Sequence, residues 1–315
     1  MDDLLQVALA GFAASMVDGA LGMGFGPTSA TILLSTGLSP AAVSTTVNIA
    51  KVATGIAAGI SHWRFGNIDR RLVLRLALPG CLGAAVGVTV LANVDGSRIR
   101  PILAVLLTLV GLRMLLRFSR ALPLAPDVEQ GEPVTAAGVA DQAGRGAIVA
   151  GAAGGVSNGL IGAWGPIVTP YLLHRGLVPR FAIGSVNTAE VFVAMASATG
   201  LVAAMGKGGV DPKVVVAMLA GGVIASPIAA WAIKWMPARA MGLAVAALLV
   251  LTNWRELVSK ADLGMIPFVG YALVVALVVA AATAPRLRVA RDTRSVERSR
   301  TRVDDGSTSP DVVAG

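Results

Sequence analysis

Apolar residues run along this chain in blocks, separated by short polar or charged stretches, and several blocks carry no charge at all. Read by apolar runs and charge breaks, the first part predicts helical segments near 4–21, 27–36, 40–60, 71–92 and 98–118. Five more follow near 146–162, 166–174, 180–204, 212–234 and 238–254, then one extra span near 263–284. Residues 119–145 hold Pro123, Pro126, Asp127, Glu129, Glu132 and Pro133, which makes them a polar linker. The predicted organisation is a transmembrane repeat over 1–118, a cytoplasmic linker over 119–145 and a second repeat over 146–258. An additional transmembrane helix over 259–285 and a basic cytoplasmic tail over 286–315, expected to be disordered, complete it.

The second segment of each set is too short to span. About ten helical residues rise about 15 Å, half of the roughly 30 Å hydrocarbon core. Segments one and two of each set therefore read as a broken or re-entrant pair, meeting at Gly22-Met23-Gly24-Phe25-Gly26-Pro27 and at Gly162-Ala163-Trp164-Gly165-Pro166. Proline lacks an amide hydrogen and fits a first helical turn, so Gly-Pro at the same place twice marks a restart. Close helix packing is the other use for such glycines.

These two places belong to a duplication. Gly26-Pro27, Gly37-Leu38, Pro40, Thr46, Asn48 and Lys51 are matched by Gly165-Pro166, Gly176-Leu177, Pro179, Ser185, Asn187 and Glu190. The offset is constant and ungapped (166 − 27 = 139; 190 − 51 = 139). Five segments per copy is an odd number, so the copies enter the membrane in opposite directions. The expected fold is an all-α polytopic membrane protein of two inverted-topology repeats. Basic residues orient it: Arg64, Arg70, Arg71, Arg117, Arg120, Arg175, Arg180, Lys234 and Arg239 fall on the side of the Arg-rich tail, against Lys207, Lys213, Arg255 and Lys260 on the other, which makes the tail side the cytoplasm by the positive-inside rule.

Composition agrees. The 315 residues are 55% hydrophobic and 14% charged, against about 25% charged in soluble domains. The net charge of +8 is concentrated locally, with seven arginines between Arg286 and Arg302, and reads as a tail beside anionic lipid rather than a nucleic-acid site. One cysteine, Cys81, excludes an intrachain disulfide and a cysteine metal cluster. His62 and His174 stand at segment ends, where interfacial imidazoles are ordinary. The acidic start Met1-Asp2-Asp3 lacks the basic region of a signal peptide, so the first segment is expected to be retained. No HExxH, GxSxG, Walker A or EF-hand pattern occurs, and neither an enzyme, a cofactor nor a metal site is expected.

Inverted repeats with interrupted helices bind substrate where the broken ends of both halves meet. Helices restarting after Gly26 and Gly165 would offer amides and positive dipole ends there, favouring an anion. Asn48 and Lys51 are three apart, as are Asn187 and Glu190, so each pair shares a helix face. A charge within a span costs about 2.5–3.5 kcal/mol at the centre on insertion scales, so each needs a partner or water. Two readings stand together. Lys51 and Glu190 pair as a structural lock, or Lys51 attracts the anion while Glu190 takes up protons or gates, with Thr46, Asn48, Ser185 and Asn187 adding hydrogen bonds. Asp18 and Asn158 are another near-symmetric pair, read either as caps of the broken ends or, for Asp18, as a coupling or gating carboxylate. Trp63, Trp235 and Trp254 fit an interfacial belt, whereas Trp164 sits in the second break where it could wall the site. Arg113 lies within reach of the cytoplasmic end and is expected to snorkel.

The residues that define the duplication also carry a resemblance. Gly-Met-Gly-Phe-Gly-Pro at 22–27 and Gly-Ala-Trp-Gly-Pro at 162–166 resemble the TauE/SafE sulfite exporter family. So do Gly37-Leu38-Ser39-Pro40 with Thr45-Thr46-Val47-Asn48, and Gly176-Leu177-Val178-Pro179 with Ser185-Val186-Asn187. The likeness covers about 4–255. It implies a secondary transporter in a bacterial inner membrane, with a small anionic substrate such as a sulfur oxyanion or organosulfonate, membrane lipid around it and protons as the candidate coupling ion. Another organic anion such as a carboxylate, or a non-transporting sensor or scaffold acting through the tail, are the alternatives. Direction of transport and oligomeric state are left open.

Overall fold

The computed structural model describes residues 2–21, 23–119, 141, 143–206, 210–232, 238–258, 270–273, 275, 276, 279 and 280. Gly22, nearly all of the linker and the basic tail lie outside them, and within the extra span expected near 263–284 the described residues are helical. Among the described residues there are ten further helices and no strand. The first copy contributes α1 (Asp2–Leu21), α2 (Phe25–Ser35), α3 (Pro40–Arg64), α4 (Arg70–Asn93) and α5 (Gly96–Ser119). The second contributes α6 (Gly146–Ile161), α7 (Gly165–His174), α8 (Pro179–Met205), α9 (Pro212–Ala232) and α10 (Ala238–Val258).

Local chemistry places the boundaries, and places them twice. Gly37 and Gly176 take positive φ, 92° and 82°, a conformation that costs glycine nothing, and a proline three residues later opens α3 and α8. Asp69 caps α4 by accepting from the amides of Arg71 (2.8 Å) and Leu72 (3.1 Å). Asp211 caps α9 through the Lys213 amide (2.8 Å). These aspartates are 142 apart (211 − 69 = 142), so the second copy carries three extra residues between its third and fourth helices.

Helices α3, α4, α5 and most of α8 are long and apolar enough to cross a membrane. On α4, Leu74, Leu78, Leu82, Val86 and Val90 recur every four residues and are exposed, whereas Leu72, Leu76 and Ala84 are fully buried. A helix apolar on its outer as well as its inner face has lipid as its solvent. In water such a stripe would cost about 25 cal/mol per Å² exposed. The chain is a multi-pass membrane protein.

The two copies interlock reciprocally. Helix α1 lies along α9 and α6 along α4, while α3 packs on α8 and α5 on α10. Glycine permits the closest of these approaches: the Gly155 Cα stands where a side chain would meet the Gly80 carbonyl, and Gly221 likewise faces the Ala8 carbonyl. The short helix α7 runs back along α6. Val168 packs on Gly154 near the break, and the Tyr171 hydroxyl donates to the Ala143 carbonyl (3.0 Å) just before α6 begins. That makes α6–α7 a helical hairpin. Polar backbone at its tip is tolerated because it is enclosed by protein.

Candidate functional site

The tips of the two breaks touch each other. Gly26, in the first turn of α2, rests on the Gly162 carbonyl, where a Cβ would collide with it. Gly165, its equivalent in the second copy, faces Met23, with 3.1 Å between the Met23 Cα and the place of a Cβ. Since 162 − 23 = 139, these two contacts are one contact seen from both copies. Gly162 takes φ of +70° as the left-handed cap of α6, which turns the chain and aims its carbonyl inward.

Lys51, from α3, reaches into this junction. Its Nζ donates to the Gly162 carbonyl (2.6 Å) and to Asn158 Oδ1 (3.1 Å), and forms an ion pair with Glu190 of α8. Those three acceptors match the three hydrogens of an ammonium. The Lys51 side chain is 7% exposed and that of Glu190 20%, so the lysine is enclosed and the carboxylate stays partly accessible. Asn158 is oriented from its far side: its Nδ2 donates to Asn48 Oδ1 (2.7 Å) and Ser197 Oγ (3.0 Å). Asn48 Nδ2 in turn donates to the carbonyls of Ser44 (2.9 Å) and Asn158 (3.2 Å). An amide so held can present only its oxygen to Lys51.

Beside the pair is a cavity of about 70 Å³, far below the 300–1,000 Å³ of drug-sized sites, and suited to a few atoms. Lys51, Glu190, Asn187 and Asp18 supply its polar wall, and Gly26, Gly165 and both break prolines its tight end. Asp18 Oδ1 accepts from the amides of Gly24 (2.9 Å) and Phe25 (3.2 Å), so the positive end of α2 already holds a carboxylate. The start of α7 has no such cap among the described residues. Of the two anion-favouring helix ends read from the sequence, only the first is capped by a side chain among the described residues.

Other sequence candidates fall elsewhere. Ser185 is fully buried away from the cavity, its Oγ accepting from the Asp69 amide (3.0 Å), where it ties α8 to the start of α4. Thr46 is buried on α3 and does not line the cavity. Trp164 is fully buried behind the break against Gly80 and Gly154, with its Nε1 donating to the Val186 carbonyl (3.3 Å), so it fills core and does not wall the site. Asn158 bridges Lys51 to Asn48 and caps nothing with its side chain. Thr54 and Ser197 were missed, although Ser44, Asn48, Lys51 and Thr54, spaced by four, three and three, form a polar stripe that helical periodicity reveals. Among the described residues no group of His, Cys, Asp or Glu could hold a metal.

Comparison with known proteins bears on this arrangement directly. The family description sulfite exporter TauE/SafE matches residues 7–255, which takes in both breaks and the whole cavity. The chain belongs to the TauE/SafE family. It is similar to the probable membrane transporter protein YtnM of Bacillus subtilis (strain 168), at 35% identity over 271 residues that cover 82% of this chain and 84% of that protein. No solved structure matches. Family membership makes the chain a membrane transporter, and the cavity between the crossed breaks is the candidate for its small-molecule site.

Proposed function

We propose that this TauE/SafE protein is a secondary transporter of two inverted repeats that carries a small sulfur oxyanion or organosulfonate, sulfite-like in size, across the bacterial inner membrane. The observation that carries the reading is the Lys51–Glu190 pair at the crossing of the breaks. All three hydrogens of Lys51 are engaged, so an anion gains the lysine only by displacing Glu190. Protonating Glu190 removes the competing charge, so proton uptake and anion binding favour each other. At the uncapped start of α7, where Pro166 has no amide hydrogen and the Ile167 amide bonds Trp164, the Gly165 amide adds one backbone donor on the same side. Asn187, Gly26 and Gly165 would complete the contact surface, and Asp18 would act on gating through the α2 start that it holds. Asn48 would act behind the site by aligning Asn158, and Thr46 and Ser185 would act through the packing of α3 and α8.

The reciprocal packing of the helices supports an approximate two-fold axis through the junction, and five segments per copy support its lying in the membrane plane. The cavity is asymmetric about that axis. Thr54, Gly55 and Ala58 line it, whereas their equivalents Val193, Ala194 and Ser197 are buried. The lined half of α3 leads toward Arg64, on the side where Arg70, Arg71, Arg175 and Arg180 gather. This arrangement favours a state opening to the cytoplasm, with the C-terminus there too.

Purified protein in liposomes tests the reading. Sulfite should accumulate when a pH gradient, acid outside, is imposed, and collapse of the gradient should release it. No movement of sulfite, thiosulfate or a short sulfonate under any gradient would remove the sulfur-anion assignment.

A further inference from the structure

Arg117 lies on the last turn of α5 and is only partly exposed. Its Nη1 donates to the Met23 sulfur (3.1 Å), and its guanidinium stands 5.7 Å from the Phe118 ring centre. No carboxylate or carbonyl among the described residues accepts from it, and no ion pair involves it. A thioether is a weak acceptor, so most of the five guanidinium donors are left without an oxygen. Met23 itself lines the cavity. A half-buried arginine without a counter-charge among the described residues, one side chain away from a cavity that holds a lysine, is a poor structural device and a good anion ligand.

Resting on the reading of that cavity as an anion path, we propose that Arg117 binds the transported anion at the cytoplasmic mouth, with Met23 as the movable side chain between this outer position and Lys51. The guanidinium fork suits two oxygens of an oxyanion or sulfonate, and the flexible thioether stem of Met23 can give way without breaking a strong bond. Nothing in the duplication requires a base here. The 142-residue offset of the later helices places Ser259 at the equivalent position.

Calorimetric titration of the purified full chain with sodium sulfite tests this, using Arg117→Gln and Arg117→Lys beside Lys51→Gln. Arg117→Gln should weaken sulfite about tenfold or more, the loss of a charged hydrogen-bond pair, and Arg117→Lys should recover part of it. In the wild-type chain, sulfite should protect Arg117 from phenylglyoxal, read by mass spectrometry, while exposed Arg113 stays reactive; this readout needs no variant to fold. Unchanged affinity in Arg117→Gln with loss in Lys51→Gln would overturn the proposal and leave the cavity reading intact. Loss in Arg117→Gln with none in Lys51→Gln would keep Arg117 as a ligand and overturn the cavity reading. A wild-type chain that neither binds sulfite nor gains protection would overturn both.

Discussion

Lys51 and Glu190 occupy the same position in the two copies, and they pair with each other across the junction. In the proposed two-fold arrangement, a residue that meets its own repeat equivalent lies on the axis. Opposite charges at that one position give the site a polarity that the backbone contacts of the breaks, Gly26 on Gly162 and Gly165 on Met23, do not have.

Removing one partner strands the other. Breaking a buried pair costs about 3–5 kcal/mol, and the partial exposure of Glu190 puts the cost here at or below the lower end. Glu190→Gln should therefore lower the thermal midpoint in anion-free buffer, and added sulfite should restore more of it than in the wild type. In the double variant Lys51→Gln/Glu190→Gln the losses should be less than additive, which unfolding curves of the four proteins will show.

Proton coupling has a definite sign. The carboxylate competes with the anion for Lys51, so affinity for sulfite should rise as pH falls through the Glu190 titration and level off once it is protonated. Glu190→Gln should bind like the low-pH wild type at every pH, apart from the ionisation of sulfite itself. Titrations with a sulfonate, which keeps one charge over this range, separate the two effects. A pH dependence that survives in Glu190→Gln would assign the coupling proton elsewhere, with Asp18 the next carboxylate on the wall.

Asn158 is held by four hydrogen bonds of its side chain and carbonyl to Lys51, Asn48 and Ser197. Asn158→Ala leaves Lys51 and Asn48 each short of a buried partner and should destabilise by about 2–6 kcal/mol, a sum of two unsatisfied groups. Asn158→Asp places a second anion on Lys51 and should weaken sulfite binding more than it weakens the fold, a difference visible by comparing affinity with thermal midpoint.

Gly26→Ala drives a methyl into the Gly162 carbonyl that Lys51 uses. Overpacking of this kind costs about 1–3 kcal/mol. Flux should fall far more than stability, whereas a methyl at Gly59, which has open space beside it apart from the Thr188 hydroxyl at 3.9 Å, should change neither.

Much of this was legible in the sequence, and the reason differs by element. Gly-Pro, Gly-Leu and the helix-opening prolines are backbone requirements, so they survive in both copies at one spacing and reveal the duplication. Beyond α3 and α8 the spacing shifts to 142, carried by the paired caps Asp69 and Asp211 and by Gly80 with Gly222 and Arg113 with Arg255. Lys51 and Glu190 stood out because charge is costly within a span. The fates of Ser185 and Trp164 were not legible, because each lies beside the site in sequence and turns toward the core in space. Which helix end a side chain caps depended on the chemistry of one position: Asp18 fills the first, and Asn158 turns away from the second toward Lys51.

The claim that Lys51 is the anion's partner meets its most direct test in flux. Wild-type and Lys51→Gln protein, both shown to be folded at the assay temperature, would be compared for sulfite uptake into liposomes at two imposed pH gradients. The account predicts gradient-driven uptake in the wild type and its near loss in the variant at both gradients. Equal uptake by the two proteins would contradict it and leave the Lys51–Glu190 pair as a structural clasp.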